Sequence, residues 1–188
     1  MKIKLMTFLS LSMLMASCAQ DDTLDSTPVQ NRNAHTITNE TNSIPGTGLT
    51  ELKFISETTN HPQILYAGES ISLENNGSTY RLIMQHDSNL VLYRERPGSL
   101  SVLWSSNTVR SQGTPKLIAQ NDGNLVIYNN DTSIWHSNSA VTGTVSNPHI
   151  KLQLYSRGGY FIPNGFRIKI ILGGNNEERK EIAYKDFD

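Results

Sequence analysis

The 188-residue chain lacks several features on which common protein functions depend. It has one cysteine, Cys18, so it cannot form an internal disulfide. Its 16 lysines and arginines stand against 17 aspartates and glutamates, a formal net charge of -1. No basic block suits a phosphate backbone, so nucleic acid is not an expected partner. The longest apolar run, residues 5–16, is too short to span a membrane.

Sequence signatures of catalysis and metal binding are also absent. The chain has no Gly-x-Ser-x-Gly elbow, no phosphate-binding loop and no His-Glu-x-x-His pair. The histidines are scattered without metal-ligand spacing, which favours surface positions: His35, His61, His86, His136 and His149. We therefore expect neither an enzyme nor a bound metal or cofactor.

The first residues predict an export signal. Lys2 and Lys4 form a short basic start, the apolar run follows, and Cys18 stands where cleavage is expected. An unpaired cysteine ending the apolar run is the plainer interpretation. However, the Met-Ala-Ser-Cys sequence resembles the lipobox of bacterial lipoproteins, which implies a signal peptide at 1–17 and lipidation of Cys18. Two or more acyl chains would then hold the protein stably on a membrane.

The segment after the cysteine predicts where the chain resides and how it is displayed. Ala19, by resemblance to Gram-negative sorting signals, implies the outer membrane rather than the inner one. Asp21 and Asp22 resemble the acidic export tether of Bacteroidetes lipoproteins, which implies surface exposure. Residues 18–60 are rich in Thr, Asn, Ser and Asp, so we expect a flexible tether. Within it, residues 49–55 leave open a strand or a segment lying against the domain.

Two stretches of the chain share the motif Gln-x-Asp-x-Asn-x-Val-x-Tyr, at residues 85–93 and 120–128. The copies begin 35 positions apart and agree at every defined position. An internal repeat predicts a repeated structural unit. A purely structural repeat is expected to share mostly core residues, whereas this one shares mostly polar side chains. The shared residues are Gln85, Asp87, Asn89, Val91 and Tyr93 in the first copy and Gln120, Asp122, Asn124, Val126 and Tyr128 in the second.

Short apolar or alternating segments recur from residue 63 onward, with turn residues between them. No stretch longer than ten residues holds a helical apolar period. Strands of this length and spacing predict an all-β sandwich, barrel or prism. We expect residues 177–185 to make one helical turn or to fray. The predicted strands are 63–66, 70–73, 80–85, 90–93, 101–105, 116–120, 125–128, 133–136, 150–155, 160–162 and 166–172.

The repeated residues suit a small ligand rich in hydroxyl groups. Residues 121–124, Asn-Asp-Gly-Asn, are a strong hairpin signal, and Asn124, Val126 and Tyr128 share one face of the following strand by alternation. Asp accepts hydrogen bonds from two adjacent hydroxyls, Asn and Gln donate and accept, and Tyr supplies a hydroxyl. Val offers an apolar contact to the C–H surface of a sugar ring. A turn between ordinary strand formers would explain one copy, but two matching copies favour a sugar site.

On these residues, the region from about 63 to 172 resembles the bulb-type mannose-binding lectins of monocots, whose signature is this motif in up to three copies. The resemblance implies a β-prism of three four-stranded antiparallel sheets with pseudo-threefold symmetry. It implies that the ten repeated residues bind mannose and that Trp104 and Trp135 pack centrally. It also implies a homodimer formed by exchange of a C-terminal strand, for which residues 166–172 are the candidate.

The third copy that the resemblance implies keeps the scaffold but loses the polar residues. Aligned by the repeat, its Gln, Asp, Asn, Val and Tyr are replaced by Tyr155, Arg157, Gly159, Phe161 and Pro163. We therefore expect two mannose sites and one degenerate site. Two aspartates can form a glycosidase pair, but Asp87 and Asp122 occupy equivalent positions of separate repeats and would not flank one bond.

These observations predict a lipid-anchored, mannose-binding lectin domain at 61–174, followed by a charged tail at 175–188. Two alternatives remain open at this point. One is a lectin-like bacteriocin, although such toxins resemble tandem prisms and this chain has room for one. The other is a prism that serves protein–protein contact and no longer binds sugar.

Overall fold

A computed structural model describes residues 51–110, 112–159, 162–175 and 179–188, and these residues form three four-stranded antiparallel sheets. The first sheet has the order β3-β4-β5-β6, the second β2-β7-β8-β9 and the third β1-β10-β11-β12. The strands are β1 (Glu51–Glu57), β2 (Ile64–Tyr66), β3 (Ser70–Asn75), β4 (Ser78–Met84), β5 (Leu90–Arg96), β6 (Ser99–Ser105), β7 (Pro115–Ala119), β8 (Leu125–Asn129), β9 (Thr132–His136), β10 (His149–Gly159), β11 (Ile162–Gly173) and β12 (Arg179–Phe187).

The predictions for the export signal, Cys18 and residues 19–50 lie outside these described residues. Within the described part, no helix is long and apolar enough to cross a membrane. The all-β prediction is confirmed. The presence of three separate sheets identifies the fold as a prism rather than a sandwich or a barrel.

The core lies where the inner faces of the three sheets meet. Strand β4 alternates strictly between buried and half-buried residues, as a strand with one face in a core must. Leu82, Leu117 and Leu152, one from each sheet, are fully buried in the shared apolar cluster. Burying a leucine contributes about 1.5–3 kcal/mol. Trp104 and Trp135 pack edge to face at 6.1 Å against this cluster, but both are only half-buried.

The three sheets repeat one plan, although their first strands do not follow the repeat in the sequence. Each sheet takes its second and third strands from an antiparallel hairpin: β4–β5, β7–β8 or β10–β11. The first strands, β3, β2 and β1, are neighbours in sequence but belong to three different sheets. The N-terminal part of the domain therefore connects all three sheets.

Strand β1 corrects the predicted boundary of the tether at residue 60. It pairs with β10 from Glu51 to Glu57, so residues 51–57 belong to the folded domain. Thr58 just beyond it is buried, and its hydroxyl accepts a hydrogen bond from the Leu152 amide at 3.2 Å. The sequence left a strand open for residues 49–55 but did not decide for it, because the strand is held by pairing with residues about 100 positions away.

Strand β12 corrects the prediction of a charged tail or helical turn at residues 175–188. Its apolar residues Ile182, Ala183 and Phe187 pack against the core. Its acidic residues meet basic partners on β11: Glu181 pairs with Lys169 at 2.7 Å, and Asp186 pairs with Arg167. Because the charges are neutralised across the strands, a charge-rich segment forms a stable edge of the third sheet.

The segment proposed for strand exchange, residues 166–172, lies in β11. This strand pairs with β10 on one side and β12 on the other, both in the same chain. Residues 160–161, in another predicted strand, lie outside the description.

Candidate functional site

The two motif copies form equivalent hairpin turns on the first and second sheets. In the first, the Gln85 amide donates to the Asn89 carbonyl at 2.9 Å, and in the second the Gln120 amide donates to the Asn124 carbonyl at 2.8 Å. The third turn residue has positive φ in both, 71° at Ser88 and 83° at Gly123. Glycine adopts this conformation freely, whereas serine does so at a cost. The predicted hairpins are therefore present at both sites.

The aspartates are held at the lip of each turn with their carboxylates exposed. One oxygen of Asp87 accepts the Asn89 amide at 3.0 Å, and one oxygen of Asp122 accepts the Asn124 amide at 2.9 Å. This bond fixes the orientation of the carboxylate without burying it. The second oxygen of Asp87 remains available to a ligand, whereas that of Asp122 also accepts a long bond of 3.5 Å from Asn124 Nδ2 and keeps its remaining lone pair for a ligand.

The glutamine and the tyrosine of each copy come together across the hairpin. Gln85 Nε2 donates to the Tyr93 hydroxyl at 3.0 Å, and Gln120 Nε2 donates to the Tyr128 hydroxyl at 2.8 Å. Because the phenol oxygen accepts, its own hydrogen can be donated outward. Both pairs are half-buried, so they form rigid rims that are still accessible from solvent.

The asparagines are fixed from behind by hydroxyl residues to which the sequence assigned no role. Asn89 Oδ1 accepts from the Ser106 hydroxyl at 3.1 Å and from the Thr108 amide at 3.3 Å. Asn124 Oδ1 accepts from the Ser139 amide at 2.9 Å. With Oδ1 engaged inward, Nδ2 is the group left for a ligand at Asn89. At Asn124 one N–H of Nδ2 already donates to Asp122 Oδ2 at 3.5 Å, so the other N–H is the one left for a ligand.

These supporting hydroxyls form the same chain of hydrogen bonds at both sites. Ser106 and Thr108 share a bond of 2.7 Å, and the Thr108 hydroxyl donates to the Ser88 carbonyl at 2.6 Å. Ser137 and Ser139 share one of 2.6 Å, and the Ser139 hydroxyl donates to the Gly123 carbonyl at 2.7 Å. The signal that identifies them is the second repeat in the sequence, residues 103–108 and 134–139, in which each tryptophan precedes these hydroxyls.

The valines form an apolar floor rather than an exposed wall. Val91 and Val126 retain only 3% and 4% of their accessible surface. Their cross-strand partners are Ile83 and Ile118, both half-buried on the same faces. We name the first copy, Gln85 to Tyr93, the first site and the second copy, Gln120 to Tyr128, the second site. All five predicted residues come together at each.

Each site therefore presents a small, shallow array of hydrogen-bonding groups above an apolar floor. Asp is the acceptor, Asn Nδ2 and the Tyr hydroxyl are donors, and Gln Oε1 is a second acceptor. A ligand with adjacent hydroxyls can donate two bonds to one carboxylate while its C–H face lies near valine. Charge-assisted bonds of this kind are roughly twice as strong as neutral ones.

Each tyrosine also faces a cation on the neighbouring strand. Arg81 lies opposite Tyr93, with its guanidinium carbon 5.9 Å from the ring centre, and its Nε donates to Glu95 at 2.7 Å. Lys116 lies opposite Tyr128 and pairs with the exposed Asp131 at 2.7 Å. This hydrogen bond raises the pKa of Lys116 and lowers that of Asp131. Each tyrosine thus lies beside one cation that is paired with one carboxylate, so the two sites are similar in charge. They differ in shape, because one cation is an arginine and the other a lysine.

The fold is a β-prism. No protein-family profile and no curated protein matches the chain. Solved structures similar to it include the mannose-specific bulb lectin of Scilla campanulata (bluebell), with 32% identity over 56% of this chain and 87% of that one, at a TM-score of 0.42. The Polygonatum cyrtonema lectin complexed with monomannoside has 31% identity over 57% and 91%, at 0.37. Monomeric monocot mannose-binding lectins from Gastrodia elata have 26% identity over 69% and 94%, at 0.40.

The third hairpin of the prism corrects the alignment of the third copy. Leu152 pairs with Ile170 as Leu117 pairs with Ile127, so the inner faces superimpose in register. In that register Tyr155 takes the place of the glutamine, as predicted. The places of Val and Tyr belong to Lys169 and Ile171, however, and not to Phe161 and Pro163. The prediction was wrong because the β10–β11 hairpin is longer than the other two, and the turn lies beyond the repeat period.

The outer face of the third sheet is closed by ion pairs. Lys151 and Lys169 are 6% and 5% exposed, and they pair with Glu57 at 3.0 Å and Glu181 at 2.7 Å. Gln153 donates to Glu57 at 2.8 Å. Burial raises the pKa of Glu57, but the bonds from Gln153 and Lys151 outweigh it, so the pKa lies below its ordinary value. The polar groups that replace the motif thus bind each other.

Among the described residues, no three His, Cys, Asp or Glu side chains are close enough to hold a metal ion. Asp87 and Asp122 lie on different sheets, at the turns of separate hairpins.

Proposed function

We propose that the chain is a carbohydrate-binding lectin without catalytic activity, which binds mannose-type sugars at the first and second sites. The observation that carries this proposal is the duplicated geometry. The Gln–Tyr bond, the Asp-capped turn and the hydroxyl network behind Asn recur on two sheets with matching partners. Two such arrays are not needed to form a stable prism, since the third sheet lacks them.

Each site on its own should bind weakly. Both are shallow and exclude little water, so we expect a dissociation constant of roughly 1 mM for one sugar, about -4 kcal/mol. Because the sites lie on different sheets, one protein can contact two sugar groups of a branched glycan or a glycan-covered surface. Simultaneous contact can strengthen the overall interaction by about 100-fold or more.

We also propose that the protein is lipidated at Cys18 and displayed on a bacterial outer membrane. The support is the lipobox resemblance and the charge pattern that follows it. Residues 19–50 would act as a linker, and a flexible chain of this length spans roughly 30 Å. The prism would then reach glycans on a neighbouring surface, which suits adhesion or glycan capture.

The test is sugar binding by the full-length chain and by Asp87→Asn, Asp122→Asn and the double variant, using a glycan array and calorimetry with methyl mannoside. Each substitution removes charge-assisted bonds worth about 1.5–3 kcal/mol, so affinity at that site should fall by tenfold or more. Glu74→Gln, at an exposed position on β3, is the control. Absence of mannose binding by the wild type contradicts the proposal. Equal binding by wild type and double variant shows that the sites are misassigned.

A further inference from the structure

The first site continues beyond its tyrosine, whereas the second site ends there. Strands β5 and β6 have seven residues each, and their pairing extends past Tyr93 to Arg96 and Ser99. Strands β8 and β9 have five residues each, and their last pair is Asn129 with Thr132. The first sheet is therefore longer by two residues per strand, about 7 Å at 3.3–3.4 Å per residue.

The extra length presents apolar side chains on the same face as the first site. By alternation Tyr93 and Glu95 share this face, and their partners on β6 are Val102 and Leu100. Val102 and Leu100 are 59% and 63% exposed, the two highest values among the exposed large apolar residues in the described part of the chain. On the second sheet the partner of Tyr128 is Ser133, which offers no comparable contact.

A cleft of about 500 Å³ lies on this extension. It is lined by Arg81, Glu95, Arg96, Gly98, Ser99 and Leu100. Arg81 also lies opposite Tyr93, so the cleft adjoins the rim of the first site. An open cleft bounded by exposed leucine on one side and an ion pair on the other has both surfaces that a sugar requires.

The Arg81–Glu95 pair still has hydrogen-bonding groups that can contact a ligand. The side chains are 35% and 34% exposed, and Arg81 uses only two of its five N–H groups on Glu95. The remaining N–H groups can donate to hydroxyl oxygens, and the carboxylate can accept from hydroxyl groups. Because the pair is neutral overall, it accommodates an uncharged sugar. Arg96, which also lines the cleft, adds one positive charge and donates its Nε to the Ser78 hydroxyl.

We infer that the first site has a second subsite, formed by Arg81, Glu95, Leu100 and Val102, which binds the neutral sugar next to the one held by the motif. The first site then takes a disaccharide unit, while the second site takes a single terminal sugar. This inference rests on the proposed function of the motif itself. It assigns a role to the longer β5–β6 hairpin, because 11 positions separate Tyr93 from Trp104 whereas 7 separate Tyr128 from Trp135.

The test compares methyl mannoside with a mannose disaccharide by calorimetry on the full-length chain. Asp122→Asn leaves the first site active, and Asp87→Asn leaves the second. With Asp122→Asn, the disaccharide should bind about five- to tenfold more tightly than the monosaccharide, since part of one leucine and one valine is buried. With Asp87→Asn, the two sugars should bind equally.

Leu100→Ser in the Asp122→Asn background should remove the disaccharide advantage and leave methyl mannoside affinity unchanged. Val109→Ser, at another exposed valine, is the matched control. If the first site binds the two sugars with equal affinity, the inference is overturned while the proposed function stands. The inference is also overturned if the Leu100→Ser variant still binds the disaccharide more tightly by the full factor. That result is expected if the apolar strand serves protein contact instead. Absence of binding to both sugars by the wild type overturns the proposed function as well.

Discussion

Replacement of Asp186 by Asn tests whether charge pairing holds β12 on the third sheet. Asp186 accepts two hydrogen bonds from Arg167, Nε to Oδ1 at 2.6 Å and Nη2 to Oδ2 at 2.8 Å. Arg157 lies 3.8 Å from the same carboxylate. Both arginines are largely buried, with 18% and 15% of their side chains exposed. Removing the carboxylate leaves two cations without their shared partner.

The expected cost follows from this geometry. A hydrogen bond to a charged group contributes about 1.5–3 kcal/mol, but Asp186 is 32% exposed and Asn retains one acceptor oxygen. We therefore expect the free energy of unfolding to fall by about 1–2 kcal/mol at pH 7. That corresponds to roughly 4–8 °C in Tm for a folded region of this size.

The pH dependence of the difference identifies its cause. Hydrogen bonds from Arg167 hold the pKa of Asp186 below its ordinary value of 3.8, despite partial burial, which raises it. A lowered pKa in the folded state contributes stability that is present above the unfolded pKa and is lost as pH falls through the folded pKa. Wild type and Asp186→Asn should therefore differ most at neutral pH and converge below about pH 4.

The assay is urea denaturation of the full-length chain followed by circular dichroism, at pH 7 and at pH 3. Asp131→Asn is the matched control, because it removes an ion pair of the same charge type at an 87% exposed carboxylate. Exposed pairs contribute about 0–1 kcal/mol. If Asp186→Asn is no more destabilising than Asp131→Asn, or if its effect persists unchanged at pH 3, the ion pair does not stabilise β12 as argued.

Two further predictions concern the anchor and the second site. Cys18→Ser should move the protein from the membrane fraction to the soluble fraction and abolish labelling by a radioactive fatty acid, and unchanged labelling would exclude lipidation at that residue. Asn124→Ala removes the acceptor for the Ser139 amide, so it should cost about 1–3 kcal/mol in urea denaturation and weaken sugar binding at the second site. The exposed Asn60→Ala is its control, and a neutral Asn124→Ala would show that the hydroxyl network does not position the site.

The features that were predictable from the sequence are local ones. The two hairpins follow from turn residues within the chain segment that forms them, and the alternation of Leu125 and Ile127 with Val126 and Tyr128 assigns the faces. Strands β1 and β12 were not predictable in this way. Polar and charged residues make up much of both strands, and β1 pairs with a segment about 100 residues away, although β12 pairs with the neighbouring β11. Such strands carry no apolar alternation strong enough to distinguish them from a tether or a tail.

The third copy shows why a repeat period in sequence does not ensure equivalent positions in space. Lengthening a hairpin keeps the inner-face alternation of β10 and β11 intact, since pairs such as Leu152 with Ile170 are unaffected. It displaces the turn, however, and brings Lys169 to the place that valine holds elsewhere. A buried lysine requires a partner, and Glu181 on β12 supplies it.

Differences in hairpin length therefore make the three faces of the prism differ from one another. In the second sheet, β8 and β9 end beside Tyr128, so the second site is compact. The first extends β5 and β6 past Tyr93 and adds a cleft with exposed apolar residues. The third extends β10 and β11 and pairs their charged residues with β1 and β12. Because the inner faces of the three sheets all form the shared core, each outer face can change without loss of that core. Extending β5–β6 in the first sheet and β10–β11 in the third has opposite consequences for a ligand.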